Sequence, residues 1–247
     1  MLATEWQEWM NAISSTCSAM RGRTSETHEP DWPYCCTEVS ATPISLIRLL
    51  MVSIEPCTVS FFKSISSEGF DFFSPPGYDK IYREGKKVLM NILDIEVPLI
   101  AAVNGPVRLH SEYILLADIV LATPSTVFQD KPHFDFGIVP GDGVNLLWPE
   151  VIGSVRGRYF ILTQQELGSE TAKEWGVVNE IVPADKLRAR AADIAERLAK
   201  LPPLTTRYTR IALTQKLRRI VDEGIGYGLA LEGISAADVA RANTPEV

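Results

Sequence analysis

Residues 97–148 read VPLIAAVNGPVRLHSEYILLADIVLATPSTVFQDKPHFDFGIVPGDGVNLLW, and this stretch decides the fold. It contains two short apolar runs, Leu99–Val103 and Ile114–Leu121, separated by a polar turn that includes Gly105. Short apolar runs bounded by turn residues are typical of buried parallel strands or of the helix between two such strands. The stretch therefore predicts the core of an α/β fold.

The same stretch contains three residues that could do acid–base chemistry together. Two of the chain's three histidines, His110 and His133, lie here, and Asp142 follows His133 by nine residues. Neutral imidazole is suited to accept a proton near neutral pH, and a nearby carboxylate can orient the ring and stabilise the imidazolium. A turn at Gly141-Asp142-Gly143 could fold the carboxylate back towards His133.

Each of these residues also has an ordinary structural interpretation. His133 could be a solvated loop histidine, and an aspartate between glycines is commonly just a turn residue. His110 precedes Ser111 and Glu112, where it could simply cap a helix. The residues alone leave both interpretations open.

Composition restricts the class of protein and of partner. The chain has 247 residues, 46% hydrophobic, which suits a globular protein of one large domain or a domain with an appendage. A net charge of −7 gives no electrostatic reason to expect a nucleic acid or an anionic membrane as partner. No apolar run is long enough to cross a membrane and no secretion signal is recognisable, so a cytoplasmic location is expected.

The cysteines give no sign of a metal site or of a disulfide framework. They have no paired CxxC spacing and no nearby histidine cluster, so we interpret them as reduced thiols and expect no metal. All four lie in the first quarter of the chain: Cys17, Cys35, Cys36 and Cys57.

Apolar spacing predicts further elements on either side of the central stretch. The predicted helices are Tyr78–Leu93, Val155–Thr163, a helix capped by Ser169 that ends at Gly176, Asp185–Lys200, residues 204–221 and Leu229–Ala242, with a strand at Val177–Val182. Three glycines, Gly224, Gly226 and Gly228, are expected to loosen the backbone before the last helix. The basic residues of the helix at 204–221, Arg210 among them, are expected to form a solvated face.

Residues 1–62 show no sustained helical or strand period. Two interpretations are open for this segment: a partly disordered extension, or an amino-terminal sequence altered from its original form. Within it, the apolar run Ile44–Val52 fits either one helix or one strand.

Four segments together resemble the crotonase (enoyl-CoA hydratase/isomerase) superfamily. They are VPLIAAVNGPV, ADIVLAT, FGIVPGDG and LTQQELGSETAKEWGVVNEIVP, and the match covers roughly residues 63–247. The resemblance implies a spiral of ββα units over residues 63–190 and a carboxy-terminal helical region, residues 191–247, through which the chains form trimers.

Two further segments, FQDKPHFDFGIVPGDG and VIGSVRGRYFILT, resemble the subfamily of 6-oxocamphor hydrolase and related β-diketone hydrolases. The resemblance implies catalytic roles for His110, His133, Asp142 and Glu232, and a substrate contact for Phe70. It further implies a cofactor-free enzyme, a small diketone as substrate, and a homotrimer or a dimer of trimers. The subfamily's substrate-lining tryptophan has no recognisable counterpart in residues 1–62.

The chemistry implied is a reverse Claisen cleavage of the bond between two carbonyl groups. Such a reaction needs a base for water, a hydrogen-bond donor for the growing oxyanion and a proton for the enolate carbon. His133 is the expected base, oriented by Asp142, with His110 as donor to the substrate carbonyl and Glu232 in support of His133.

Two other functions stay open. Glu112 occupies a position that is a catalytic glutamate in hydratases, which keeps a CoA-dependent hydratase or isomerase in view, although a histidine replaces the second glutamate at position 133. The third function is a catalytically defective scaffold protein, because the segment that supplies the superfamily's first strands and one oxyanion donor is unrecognisable here.

Overall fold

The structure is a computed structural model that describes residues 73–242 in full and residues 36–40 and 48–53 as strands. Phe70, the expected substrate contact, lies outside the described residues, and so does most of the segment 1–62.

The described strands form a mostly parallel sheet. Its order is β1 (Cys36–Ser40), β2 (Arg48–Ser53), β3 (Leu99–Val103), β4 (Ile119–Ala122) and β7 (Glu180–Ile181). β1 runs antiparallel to β2, whereas β2, β3, β4 and β7 pair in parallel. The run at Ile44–Val52, for which both helix and strand were open, therefore contributes a strand. A short antiparallel pair, β5 (Val127–Phe128) and β6 (Leu167–Gly168), stands apart from this sheet.

β3 is the centre of the sheet and is buried along its whole length. Its side chains alternate between two apolar clusters: Leu99, Ala101 and Val103 face the main core, and Ile100 and Ala102 face a smaller cluster. A strand covered on both faces reads as a continuous apolar run, which explains why LIAAV shows no alternation of polar residues. The predicted bounds of this strand are confirmed.

The helices cover the sheet and form the outer layer. The α-helices in the described residues are α1 (Pro75–Leu93), α2 (Pro132–Asp135), α3 (Val144–Ile152), α4 (Ser154–Leu162), α5 (Ser169–Glu174), α6 (Ala184–Ala199) and α7 (Pro203–Ala242). A 3₁₀ helix spans Ser111–Leu116. α1 begins where the Ser74 hydroxyl accepts a hydrogen bond from the Gly77 N–H at 3.2 Å, with prolines in its first turn. None of the helices in the described part of the chain is long and apolar enough to span a membrane.

The prediction of a break in the carboxy-terminal helix is wrong. α7 continues without interruption for 40 residues, through all three glycines. These glycines permit close packing rather than flexibility: a Cβ at Gly224 would lie 2.7 Å from Leu146, and one at Gly228 would lie 2.3 Å from the backbone oxygen of Gly141. Tertiary contacts at these positions outweigh the low helix propensity of glycine.

Two local expectations also differ from the structure. The cap of α5 is Gly168, and Ser169, the first residue of the helix, instead donates its hydroxyl hydrogen to the Pro124 carbonyl at 3.3 Å. Arg210 does not lie on a solvated face, because it is buried and its Nε donates to Asp118 Oδ2 at 2.7 Å. The same carboxylate oxygen accepts the Leu99 N–H, so this ion pair joins α7 to the first residue of β3.

Trp148 of α3 anchors the core beside the 3₁₀ helix. Its ring is fully buried and stacks on Phe160 with centroids 4.1 Å apart. The indole N–H donates to the hydroxyl of Ser111 at 2.9 Å. This bond attaches the first residue of the 3₁₀ helix to the core, directly after His110.

Candidate active site

His110 enters the site from a strained backbone. It precedes the 3₁₀ helix with φ 51° and ψ 38°, the left-handed region that is uncommon for residues other than glycine. Its side chain makes no capping hydrogen bond, so the interpretation as a simple helix cap is wrong. Instead, its Nδ1 lies 3.0 Å from Glu112 Oε1 and 3.1 Å from Asp142 Oδ2, and its ring stacks on Tyr113.

His133 lies in the short helix α2 and is buried between two carboxylates. Its Nδ1 is 2.7 Å from Asp130 Oδ1, and its Nε2 is 3.5 Å from Asp142 Oδ2. Only 4% of the residue is exposed, so the interpretation as a solvated loop histidine is wrong. Asp130 is buried as well, and it is the residue that holds the ring.

Asp142 bridges the two imidazoles. Its Oδ2 faces Nδ1 of His110 and Nε2 of His133, at the distances given above. It lies in the turn before α3, where Gly143 adopts a φ of 119° and a Cβ would lie 2.7 Å from Leu89. The turn predicted from the glycines is therefore present, and it carries the carboxylate into the site.

Glu232 comes from α7, near the carboxy-terminal end of the chain, and only 3% of the residue is exposed. α7 and the turn at Gly141 meet backbone to backbone: a Cβ at Gly141 would lie 2.1 Å from the Gly228 oxygen. This contact brings Glu232 to the other side chains, so that ligand atoms of His133, Asp142 and Glu232 all lie within 4.8 Å of one another. Glu232 is therefore part of the site and does not lie on the exposed surface of the helix.

The electrostatics of the two central groups follow from burial and from each other. Burial alone would lower the pKa of His133, but Asp142, Asp130 and Glu232 outweigh it and raise the pKa to about 10. Burial would raise the pKa of Asp142, but His133 and His110 outweigh it and lower the pKa to about 2. Imidazolium and carboxylate thus stabilise one another inside the protein.

The pKa values of the two glutamates, Glu112 and Glu232, are raised, whereas that of Asp142 is lowered. Burial, followed by repulsion from Asp142, raises the pKa of Glu232 to about 8 and that of Glu112 to about 7. At neutral pH Glu232 therefore holds its proton while Asp142 is ionised. Groups with pKa values pushed apart in this way can take and return protons during a reaction.

The arrangement combines two imidazoles and a shared carboxylate with two buried glutamates whose pKa values are raised. Of the residues predicted from the sequence, the structure brings together His110, His133, Asp142 and Glu232. It adds Asp130, for which the only signal in the sequence was its position three residues before His133. Such a site can accept a proton from water and donate hydrogen bonds to a carbonyl oxygen.

Comparison with known proteins places this chain in a family. The model of the enoyl-CoA hydratase/isomerase family matches residues 74–228. Carnitinyl-CoA dehydratase of Salmonella typhimurium is 30% identical over 140 residues, which are 56% of this chain and 53% of that protein. The enzyme of the same name from Escherichia coli O6:K15:H31 is 31% identical over 136 residues. The chain spans about half the length of these curated relatives.

Solved structures are similar as well, among them the following two. A β-diketone hydrolase from the cyanobacterium Anabaena sp. PCC 7120, bound to (S)-3-oxocyclohexyl acetic acid, is 59% identical, with 72% of this chain and 70% of that chain covered and a TM-score of 0.70. An enoyl-CoA hydratase/isomerase from Mycobacterium paratuberculosis is 22% identical, with 86% and 98% covered and a TM-score of 0.69. The second similarity concerns the fold alone.

Proposed function

Because the chain belongs to the enoyl-CoA hydratase/isomerase family, we propose that it cleaves a C–C bond of a bicyclic β-diketone with water and without a cofactor. The observation that carries this proposal is the pair of imidazoles on one carboxylate, His110 and His133 on Asp142. The 59% identity to a β-diketone hydrolase supports the same reaction.

His133 is the proposed base. In its neutral form Nδ1–H donates to Asp130, because that carboxylate is 2.7 Å away and can only accept. The lone pair of Nε2 is then available, on the side of the ring that faces Asp142. Asp130 therefore takes the orienting role expected of Asp142, and Asp142 stabilises the imidazolium that forms.

His110 is the proposed donor to the substrate. Its Nδ1 is engaged by Glu112 and Asp142, so a hydrogen on Nε2 is the one that can be offered to a ketone oxygen. Burial lowers the pKa of His110, but Glu112 and Asp142 outweigh this effect and raise the pKa well above its ordinary value, which favours the charged ring. A charged donor stabilises a developing oxyanion more strongly than a neutral one.

The reaction then balances with these groups alone. His133 takes a proton as the water oxygen bonds to one carbonyl carbon. The C–C bond between the two carbonyl groups breaks, and its electron pair passes into the enolate of the second ketone, whose oxygen accepts from His110. The proton on His133 returns to the enolate carbon, and the product is a keto acid.

The ligand of the Anabaena protein suggests which diketone to test. It is a six-membered ring ketone with a CH₂–COOH arm on the carbon two positions away. Joining the carboxyl carbon to the ring carbon on the other side of the ketone, with loss of water, gives bicyclo[2.2.2]octane-2,6-dione. Hydrolysis of this diketone would regenerate the keto acid, so it is the substrate of choice.

The test is turnover of bicyclo[2.2.2]octane-2,6-dione by the purified chain, followed by chromatography of the keto acid. We expect turnover by the native chain and a loss of about 10²–10⁴-fold in His133→Ala and Asp142→Asn, the effect of losing a general base or its partner. Asp185→Asn makes the same chemical change at an exposed position of α6 and should leave the rate unchanged. Near-native turnover in either site variant, with the fold intact, refutes the assignment.

A CoA-dependent hydratase or dehydratase is the second candidate. Glu112 is fully buried beside His110, and among the described residues its Oε2 has no hydrogen-bond partner, as a carboxyl group awaiting substrate would. The relatives named carnitinyl-CoA dehydratase favour this function. It requires turnover of crotonyl-CoA that is lost in Glu112→Gln, with no turnover of the diketone. A chain that turns over neither substrate would be the catalytically defective scaffold.

We also propose that the chain assembles as a homotrimer or a dimer of trimers through residues 191–247. Several large apolar side chains of α7 are exposed in the single chain, among them Leu213 (72%), Tyr227 (70%) and Ile234 (67%). Exposed apolar groups concentrated on one element are typical of an interface. Light scattering of the purified protein tests this, and a monomeric mass at micromolar concentration contradicts it.

A further inference from the structure

Three side chains of the site have the spacing of a metal centre. Ligand atoms of His133, Asp142 and Glu232 lie within 4.8 Å of one another, and His133 Nε2 is 3.5 Å from Asp142 Oδ2. Two ligands of a tetrahedral zinc ion with bonds of about 2.0–2.2 Å are about 3.3–3.6 Å apart. One nitrogen and two carboxylate oxygens are donors that zinc accepts.

Unpartnered oxygens within this group point to a cation. Among the described residues, Glu232 Oε2 and Asp142 Oδ1 are buried without a hydrogen-bond partner. Buried carboxyl oxygens are normally satisfied by hydrogen bonds, so these two oxygens can accept a cation, which takes the place of the proton that Glu232 otherwise holds.

The surroundings of His133 are those of a metal-binding histidine. Its Nδ1 faces Asp130 Oδ1 at 2.7 Å, so the ring is held by a carboxylate on one nitrogen and presents the other to the cluster. Histidines that bind a metal almost always donate their second ring N–H to such a partner, which fixes the tautomer and makes the ligating nitrogen more basic.

The neighbouring group of His110, Glu112 and Asp142 is the weaker candidate. Nδ1 of His110 is 3.0 Å and 3.1 Å from its two carboxylate oxygens, which are hydrogen-bond distances. That nitrogen donates its hydrogen to the two carboxyl groups, whereas Nε2 of His133 lies 3.5 Å from Asp142 Oδ2, which is longer than a usual N–H···O hydrogen bond.

We propose that His133 Nε2, Asp142 and Glu232 bind one Zn²⁺ ion per chain, with Asp130 as the supporting carboxylate. A bound ion occupies the nitrogen lone pair that would otherwise accept a proton from water. Zinc therefore inhibits the hydrolysis of the diketone, and this inhibition, unlike the binding itself, rests on the proposed function.

Calorimetric titration of the full chain with ZnCl₂ alone tests the binding. We expect one ion per chain with affinity higher than for MgCl₂, because an imidazole ligand favours zinc over magnesium. Asp130→Asn should weaken zinc binding by about 10–100-fold, the usual effect of removing such a supporting group. Glu232→Gln, which keeps the shape of the side chain, should weaken it at least as much, and Asp185→Asn, at an exposed position of α6, should leave it within a few-fold of the native value.

His133→Ala and Glu232→Gln also show whether zinc binds elsewhere, because an ion on the cysteine thiols would bind equally well in both variants. Unchanged stoichiometry and affinity in these variants overturn the proposal, as does an equal loss of binding in Asp185→Asn. Calorimetry needs no diketone, so zinc binding can be detected even if the chain acts on a different substrate. Conversely, the chain can turn over the diketone without binding zinc, so the two proposals are tested separately.

Discussion

The substitution Gly228→Ala tests how the last helix completes the site. A Cβ at position 228 would lie 2.3 Å from the backbone oxygen of Gly141, whereas ordinary contacts begin near 3.4 Å. Neither atom belongs to a side chain that could rotate away, so α7 and the turn must separate by about 1 Å, the difference between the two distances. Asp142 is next to Gly141, and Glu232 is one helical turn beyond Gly228, so the separation acts directly on the site.

Two effects of known size follow. Displacement of catalytic groups by about 1 Å can lower the rate about 10²-fold. Forcing an extra methyl group into a packed contact costs about 1–3 kcal/mol, of which about 1 kcal/mol is recovered because alanine favours the helix over glycine. We therefore expect a large loss of turnover in Gly228→Ala with a net loss of unfolding free energy of at most about 2 kcal/mol.

Gly226→Ala is the matched control on the same helix. Its Cβ would meet only Tyr82, with the hydroxyl oxygen at 3.0 Å, and the end of that side chain can move. The gain in helix propensity is the same, about 1 kcal/mol, so the two variants differ in the backbone contact. Urea unfolding and kcat/KM for the diketone are measured for both. If Gly228→Ala is as stable and as active as Gly226→Ala, the argument that this contact sets the site is refuted.

Three further predictions concern charge. Because the pKa of His133 is about 10, kcat/KM should rise with pH through neutrality, and Asp130→Asn should move this rise to lower pH by about 1–3 units; an unshifted profile contradicts the proposed base. Glu232 keeps a proton that the unfolded chain releases between its ordinary pKa of 4.5 and about 8, so the unfolding free energy should fall as pH rises through this window. Glu232→Gln should make this fall in the unfolding free energy less steep, as measured by urea titrations at several pH values. An equally steep fall in the variant would contradict the assignment to Glu232. Arg210→Met leaves Asp118 without its cation and should cost about 3–5 kcal/mol of unfolding free energy; a loss below about 1 kcal/mol would show that the pair is replaceable.

The parts of the fold that the sequence predicted are those decided by local patterns. The apolar run Leu99–Val103 and the amphipathic helix predicted at Asp185–Lys200 are found within one residue of their expected bounds. The α/β fold and the resemblance to the crotonase superfamily are confirmed. Trimerisation and the division at residues 63–190 and 191–247 stay predictions.

The expected break at Gly224–Gly228 failed for a physical reason. Glycine lowers helix propensity wherever it occurs, and the pattern of the sequence cannot distinguish a flexible glycine from one required by a neighbour at close range. The neighbours here are Leu146 and Gly141, about 80 residues earlier in the chain. Only the folded structure brings them to the helix.

The sequence predicted which four residues lie together, but it did not predict all the contacts among the side chains. The resemblance to β-diketone hydrolases placed four residues that the structure brings together, but it did not include Asp130. A carboxylate three residues before a histidine is common, and its contact with Nδ1 depends on the tight helix at Pro132. The three acids around His133 also raise its pKa to about 10, so the neutral imidazole expected as the base is the minor form at neutral pH.

The left-handed backbone of His110 has a consequence for any attempt to engineer the protein. The residues that accept this conformation most easily are glycine and asparagine, neither of which has an imidazole, and holding another residue there costs about 1–3 kcal/mol. Directed evolution that rewards heat resistance alone would therefore weigh this backbone cost only against the contacts of the ring with Glu112 and Asp142. A screen that also rewards catalysis would keep the histidine at position 110. Heat resistance and catalysis therefore place opposite demands on this one residue.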